Sequence, residues 1–225
     1  MLRCLFGAVV MSLLLPSVRA DEPYTVKTET KAPPSELKEP FRDLLSDRVL
    51  LVADDKGKPL CEIWLRKNLE VAKPLPATET SLRYTQVEPT TFIGAIRFTQ
   101  MWSDFRRQKI KPGVYTLRMA SQPMDGDHMG TAPYNEFLLL VPAAREKTPA
   151  VMDPEDLFDL SSGATGRSHP GILLLFPNPK AMEAPDLASR PGNIMLLLTK
   201  MDATAAGQKT ALGLGMTLFG ATMAE

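Results

Sequence analysis

Apolar and polar positions begin to alternate with a clear period at Arg48. The stretch "RVLLVADDKGKPLCEIWLR" sets two apolar runs around Asp55, Lys56 and Gly57, the pattern of a β-hairpin closed by a glycine-bearing turn. "TFIGAIRFTQ" follows with Phe92, Gly94, Ile96 and Phe98 on one face and Ile93, Ala95 and Arg97 on the other, the period of a strand. In "FRRQKIKPGVYTLRMA", Pro112 fixes φ and Gly113 tolerates positive φ, so the pair turns the chain before Val114 to Met119 resume an extended run. "EFLLLV", "GILLLF", "NIMLLLT" and "ALGLGMTLF" are short apolar runs bounded by Pro, Gly or Asn, as buried strands are. In the last of these, Gly213, Gly215 and Thr217 leave one face almost bare, which predicts close approach of another segment or a bulge.

One helix interrupts the strands. "MDPEDLFDLSSGATG" offers Asp153 as N-cap, Pro154 at the first helical position, Glu155 and Asp156 in the first turn, and Gly163 at the C-terminal end. Leu157, Phe158 and Leu160 are then expected to face the sheet. The expectation is an all-β protein: a β-sandwich of roughly eight to nine mostly antiparallel strands with one short crossover helix.

The two ends of the chain's first fifth read differently from the rest. Met1 to Ala20 has a basic start at Arg3, an apolar stretch from Leu5 to Leu15, breakers at Pro16 and Ser17, and small residues at Val18 and Ala20. That is the pattern of a cleaved secretion signal, which implies a periplasmic or extracellular location and no transmembrane segment once it is removed. Residues 21–46 are polar and proline-containing, and are expected to be a lead segment or tether, with a helical turn or two in "FRDLLSDR". The sandwich domain is expected to span 47–225.

Charge narrows the partners. The 225 residues carry 26 Lys and Arg against 26 Asp and Glu, a balance that favours neither nucleic acid nor an anionic membrane surface. The cluster Arg106, Arg107, Lys109 and Lys111 lacks stacking aromatics and reads as a solvated strand face. Once the signal is removed, Cys61 is the one remaining cysteine. It alternates with Ile63 and Leu65 and reads as inert core.

The segment "IKPGVYTL", Ile110 to Leu117, resembles a hairpin element of small secreted β-sandwich modules of the transthyretin-like and carboxypeptidase-regulatory-like group, in which "PGxYxL" leads into a core strand. The chain also resembles exported bacterial proteins with such a sandwich. The resemblance implies an accessory or binding module and carries no catalytic residue with it.

Candidate chemistry is sparse. The loop around "MDGDHMG" gathers His128, Met124 and Met129, an imidazole and thioethers suited to copper(I), beside Asp127 and other acids suited to calcium. Asp125, Gly126, Gly130 and Pro133 also explain it as a plain connection. His169 lies in the Gly- and Ser-rich loop "SSGATGRSHPG", and a hydrolytic centre would require it to meet His128. No phosphate loop, nucleophile elbow or zinc helix occurs. The sequence therefore points to a non-catalytic module without a cofactor, binding a protein or carbohydrate partner through loops 122–134 and 161–171. Trp64, Trp102 and His169 are its candidate ligand contacts, and the His128 loop is the alternative metal site.

Overall fold

The computed structural model of the chain describes residues 23–71, 81–122, 132–179 and 184–220. The segment expected as a secretion signal, 1–20, lies outside them. The protein is mostly β. Its strands run β1 (Tyr24–Thr30), β2 (Leu45–Asp54), β3 (Pro59–Arg66), β4 (Leu69–Val71), β5 (Ser81–Leu82), β6 (Phe92–Phe98), β7 (Trp102–Ser103), β8 (Lys109–Ile110), β9 (Gly113–Ser121), β10 (Glu136–Pro142), β11 (Gly171–Pro177), β12 (Asp186–Arg190), β13 (Ile194–Ala205) and β14 (Gln208–Phe219). A short helix α1 (Glu39–Arg42) precedes β2, and α2 (Pro154–Thr165) joins β10 to β11.

The strands form one curled sheet in the order β1-β2-β3-β6-β9-β10-β11-β14-β13-β12, with β4 added beside β13 and β5 beside β14. These two additions pair parallel and every other ladder is antiparallel. A separate two-stranded hairpin pairs β7 with β8. The curl brings the first and last strands of the path, β1 and β12, into contact. The eight apolar runs expected as strands all form. The expected count of eight to nine is exceeded because the additional strands are short or polar and fall below the length at which alternation is legible.

The sheet turns at β11. Its first residues pair with β10, Gly171 opposite Leu140 and Leu174 opposite Phe137, whereas Leu175 to Pro177 pair with β14. Inside the curl lies a single large core to which nearly every strand contributes, from Val52 and Ile63 to Leu197, Leu214 and Met216. Two satellite clusters cover the outer face. One places Leu37 and Phe41 over Trp64, Phe92 and Ala95, and the other places Leu157 of α2 over Leu139 and Val141. This double coverage explains why β3, β6 and β9 are buried on both faces.

Three expectations need correction. The segment expected as a tether is part of the sheet, since Tyr24 to Thr30 pair residue by residue with Asp54 to Arg48. In α2, Asp153 caps as expected, accepting the Glu155 amide at 2.8 Å, but the left-handed terminating residue is Gly166 rather than Gly163. Gly163 is instead where the Arg145 side chain lies against the helix, in space a Cβ would fill. Phe158, expected on the sheet, is exposed: of the three apolar residues expected there, only Leu157 and the partly buried Leu160 project onto β10 and β11.

The bare glycine face predicted in β14 is occupied by close approaches. Gly213 sits against the Asn178 backbone and Gly215 against the Phe176 carbonyl, leaving no room for a Cβ at either position. The Tyr84 hydroxyl enters the same seam, accepting the Gly215 amide at 2.8 Å and donating to Phe176 O at 2.8 Å.

Candidate functional site

Three chain segments distant in sequence meet at one end of the sheet. The first is the β7–β8 hairpin, whose tip is organised by Asp104. This carboxylate is almost wholly buried and accepts from Arg106 N at 2.9 Å, Gln108 N at 2.8 Å, Gln108 Nε2 at 2.9 Å and Ile172 N at 3.1 Å. Burial raises its pKa above the ordinary aspartate value, against the pull of the Gln108, Ile172 and Arg106 donors toward the ionised form. The same knot docks the hairpin on β11, with Phe105 N donating to Ile172 O at 3.1 Å and Gln108 Nε2 to Pro170 O at 2.8 Å. It also holds Arg107 in a left-handed conformation at φ 62°, uncommon for a residue with a side chain.

The second segment is the β12–β13 turn, where Gly192 and Asn193 both have positive φ. The third is the end of β14, Phe219 and Gly220. Trp102 ties the first to the third, its indole Nε1 donating to Leu218 O at 3.1 Å. A run of rings continues this tie: Phe98 stacks on Trp102 at 4.8 Å between centroids, Trp102 meets Phe219 at 4.7 Å, and Phe219 stacks on Tyr24 of β1 at 4.3 Å.

Between these segments opens a cleft of about 580 Å³, lined by Gln100, Met101, Trp102, Ser103, Arg107, Gly192, Asn193, Phe219 and Gly220. Its volume falls in the range of small-molecule sites. Met101 is the most exposed large apolar residue described, at 53%. Arg107 is the one charged group in these walls, and among the described residues its guanidinium has no ion-pair or hydrogen-bond partner.

Of the described residues named in the sequence as candidate ligand contacts, Trp102 alone reaches this cleft. It is no open platform: it is 5% exposed, with Phe98 and Phe219 against its ring, so a ligand in the cleft meets its edge. Trp64 is fully buried, donating to Lys31 O at 3.0 Å beneath the Lys31 ammonium, which also pairs with Glu62. It presents no surface to a ligand. His169 is exposed on the loop after α2, and its carbonyl accepts from Thr165 Oγ1 at 2.7 Å.

Met124, Asp127, His128 and Met129 lie outside the described residues. The flanks of their loop are joined by Gln122 N donating to Asn135 O at 2.7 Å, at the end of β10 that precedes Phe137. The His169 loop leads into Gly171, opposite Leu140 near the other end of that strand. The two loops expected to share a binding surface are thus anchored at opposite ends of the β10–β11 ladder. Among the described residues, no three His, Cys, Asp or Glu side chains gather as a metal-holding group.

Sequence reading took Arg107 as part of a solvated strand face and missed Asn193 and Phe219. The signals were present but weak: an Asp-Phe-Arg-Arg-Gln turn, a Pro-Gly-Asn turn, and an aromatic closing the last apolar run. Cys61 sits fully buried in the main core, and burial first, then the neighbouring Glu62, raises its thiol pKa.

Comparison with known proteins adds no likeness: no family model, no curated protein and no solved structure matches the chain.

Proposed function

We propose that this chain is an exported, non-catalytic binding module that takes its ligand in the cleft between the β7–β8 hairpin, the β12–β13 turn and the end of β14. The observation that carries the reading is the chemistry of the cleft walls. They combine apolar edges from Met101, Trp102 and Phe219 with the neutral hydrogen-bonding groups of Gln100, Ser103 and Asn193 and the cation of Arg107. Among the described residues lining it there is no carboxylate, imidazole or thiol, the groups from which acid–base and most nucleophilic centres are assembled. The walls are suited to holding a ligand and poorly equipped to transform one.

Preorganisation supports the same reading. Two lining residues that carry side chains, Arg107 and Asn193, have positive φ, and non-glycine backbone held in sparsely populated conformations concentrates at functional sites. Export rests on the Met1–Ala20 pattern of basic start, apolar stretch and small residues.

For the architecture we propose two layers with β11 as the corner strand, its two halves pairing with different neighbours. The Tyr115 hydroxyl donates at 2.9 Å to the carbonyl of Lys111, four residues upstream, a tie of the tyrosine-corner kind found in β-sandwiches. Tyr115 is the tyrosine of the "PGxYxL" element, and the tie supports the resemblance to transthyretin-like modules.

The test is protein-observed NMR with a fragment library. The reading predicts that hits move the Trp102 indole N–H together with the amides of Asn193 and Gly220. Hits that cluster elsewhere and leave all three signals in place would overturn it.

A further inference from the structure

We propose that the end of the molecule around this cleft is a docking face for an acidic polysaccharide, gripped by Arg106, Lys109, Lys111 and Arg167 outside the cleft and by Arg107 within it. The proposal goes beyond the cleft reading and shares with it Arg107 and the neutral wall groups Gln100, Ser103 and Asn193.

The structure changes what the basic cluster means. On a regular strand its side chains would alternate faces and be diluted by neighbours. Instead Arg106 and Arg107 occupy the tip of the β7–β8 hairpin, while Lys109 and Lys111 flank Ile110. Ile110 is fully buried, and its Cδ1 and the Ala164 Cβ meet at Gly171. That contact lays residues 109–111 beside the last turn of α2. The loop that follows α2 brings Arg167 and His169 to the same region, where Gln108 Nε2 bonds the Pro170 carbonyl. All five cations are exposed, and among the described residues none has an ion-pair partner.

The two segments that build this face, 99–113 and 161–171, contain one acid, Asp104. Its carboxylate is buried and occupied by four N–H donors, so it does not screen the cations from solvent. In a chain whose formal charges cancel, five uncompensated cations at one end form a local positive field.

The neighbouring groups choose among polyanions. Single-stranded nucleic acid is held by bases stacking on open aromatic faces, and the Trp102 ring is closed between Phe98 and Phe219. A membrane surface calls for several exposed apolar side chains beside the cations, and the cleft rim supplies Met101 as its single large exposed one among the described residues. A sugar chain bearing carboxylates needs cations at intervals and neutral donors and acceptors for its hydroxyls, which Gln100, Ser103 and Asn193 provide.

The test compares binding of an oligogalacturonate at low and high salt to three forms of the full chain: unaltered, Arg106→Gln/Lys109→Gln/Arg167→Gln, and a charge-matched control, Arg48→Gln/Lys56→Gln/Lys209→Gln, at exposed sites elsewhere. The expected result is salt-sensitive binding that weakens about tenfold or more in the first variant and less than about twofold in the control. Equal losses in both variants, or no binding to the unaltered chain at low salt, would overturn the proposal. So would tighter binding, through the same residues, of a DNA oligomer or phosphatidylglycerol vesicles. Because the altered residues lie outside the cleft walls, fragment hits that still move the Trp102 indole while the oligogalacturonate fails would sink this inference alone.

Discussion

Arg118 and Glu146 form a two-pronged ion pair closed off from solvent, with Nε 2.6 Å from Oε1 and Nη2 3.0 Å from Oε2. The remaining guanidinium donors reach the carbonyls of Thr90 at 2.8 Å, Ala150 at 3.0 Å and Thr148 at 2.7 Å, so every N–H of Arg118 is matched. Glu146 also accepts from Thr116 Oγ1 at 2.6 Å, and its backbone carbonyl accepts from Lys38 Nζ at 2.7 Å. The pair thereby pins the loop that leads into α2 onto β9.

Removing one partner leaves a buried charge without its counterion. Arg118→Ala and Glu146→Ala are each expected to lower the unfolding free energy by about 3–5 kcal/mol, with the double variant well short of the sum. Urea denaturation measures all three. A cost below about 1 kcal/mol for Arg118→Ala would show that the pair does not anchor the loop.

Gly163 offers a test in which two principles predict opposite signs. By helix propensity alone, alanine inside a helix is worth about 0.5–1 kcal/mol over glycine. Here a Cβ would strike the Arg145 guanidinium, which bonds the carbonyls of Asp159 at 3.3 Å and Leu160 at 3.2 Å. Gly163→Ala is therefore expected to give no gain in thermal stability in the unaltered chain and a gain in the Arg145→Ala background. A gain of equal size in both would show that Arg145 does not hold this place.

Asp104 makes stability depend on pH. An acid whose folded-state pKa is raised holds its proton more tightly in the native chain than in the unfolded one. Its contribution is present below the ordinary aspartate pKa and is lost as pH rises through the folded-state value. The Asp104→Asn variant lacks that titration and should be less stable overall, since its amide donors oppose the Gln108 and Ile172 N–H groups. The difference in unfolding free energy, unaltered chain minus variant, is expected to fall as pH is raised across and above the aspartate range. A difference that rises with pH would contradict the account.

Cys61 reports on the integrity of the core. Its thiol is fully buried and its pKa is raised by burial, so the nucleophilic thiolate is suppressed. Labelling by a disulfide reagent at mildly alkaline pH is expected to proceed only as fast as the chain opens, and to accelerate in Arg118→Ala. Rapid labelling of a chain lacking residues 1–20, in which Cys61 is the one cysteine, would mean that β3 is not buried as described.

Much of the sheet was legible because its strands are long and apolar enough to show a period. The β2–β3 hairpin, the Pro112–Gly113 turn into β9, the Asp153 cap and the close approach at Gly215 all follow from local chemistry. β1 was not legible, because "YTVKTET" places Tyr24 and Val26 among threonines and charges and joins the fold mainly through backbone pairing with β2. The burial of Arg118 leaves no local sign in "TLRMA", since its carboxylate partner lies 28 residues downstream. The cleft depends on contacts of still longer range, such as Trp102 to Leu218, separated by 116 residues. Periodicity carries no information at that distance.

The most direct measurement is of intermolecular NOEs between the protein and a fragment that binds it. Occupation of the cleft predicts contacts from the ligand to the Met101 methyl group and the Phe219 ring. Contacts to Val151 or Phe158 instead, exposed apolar residues of the α2 region, with none to Met101 or Phe219, would contradict the placement of the binding site.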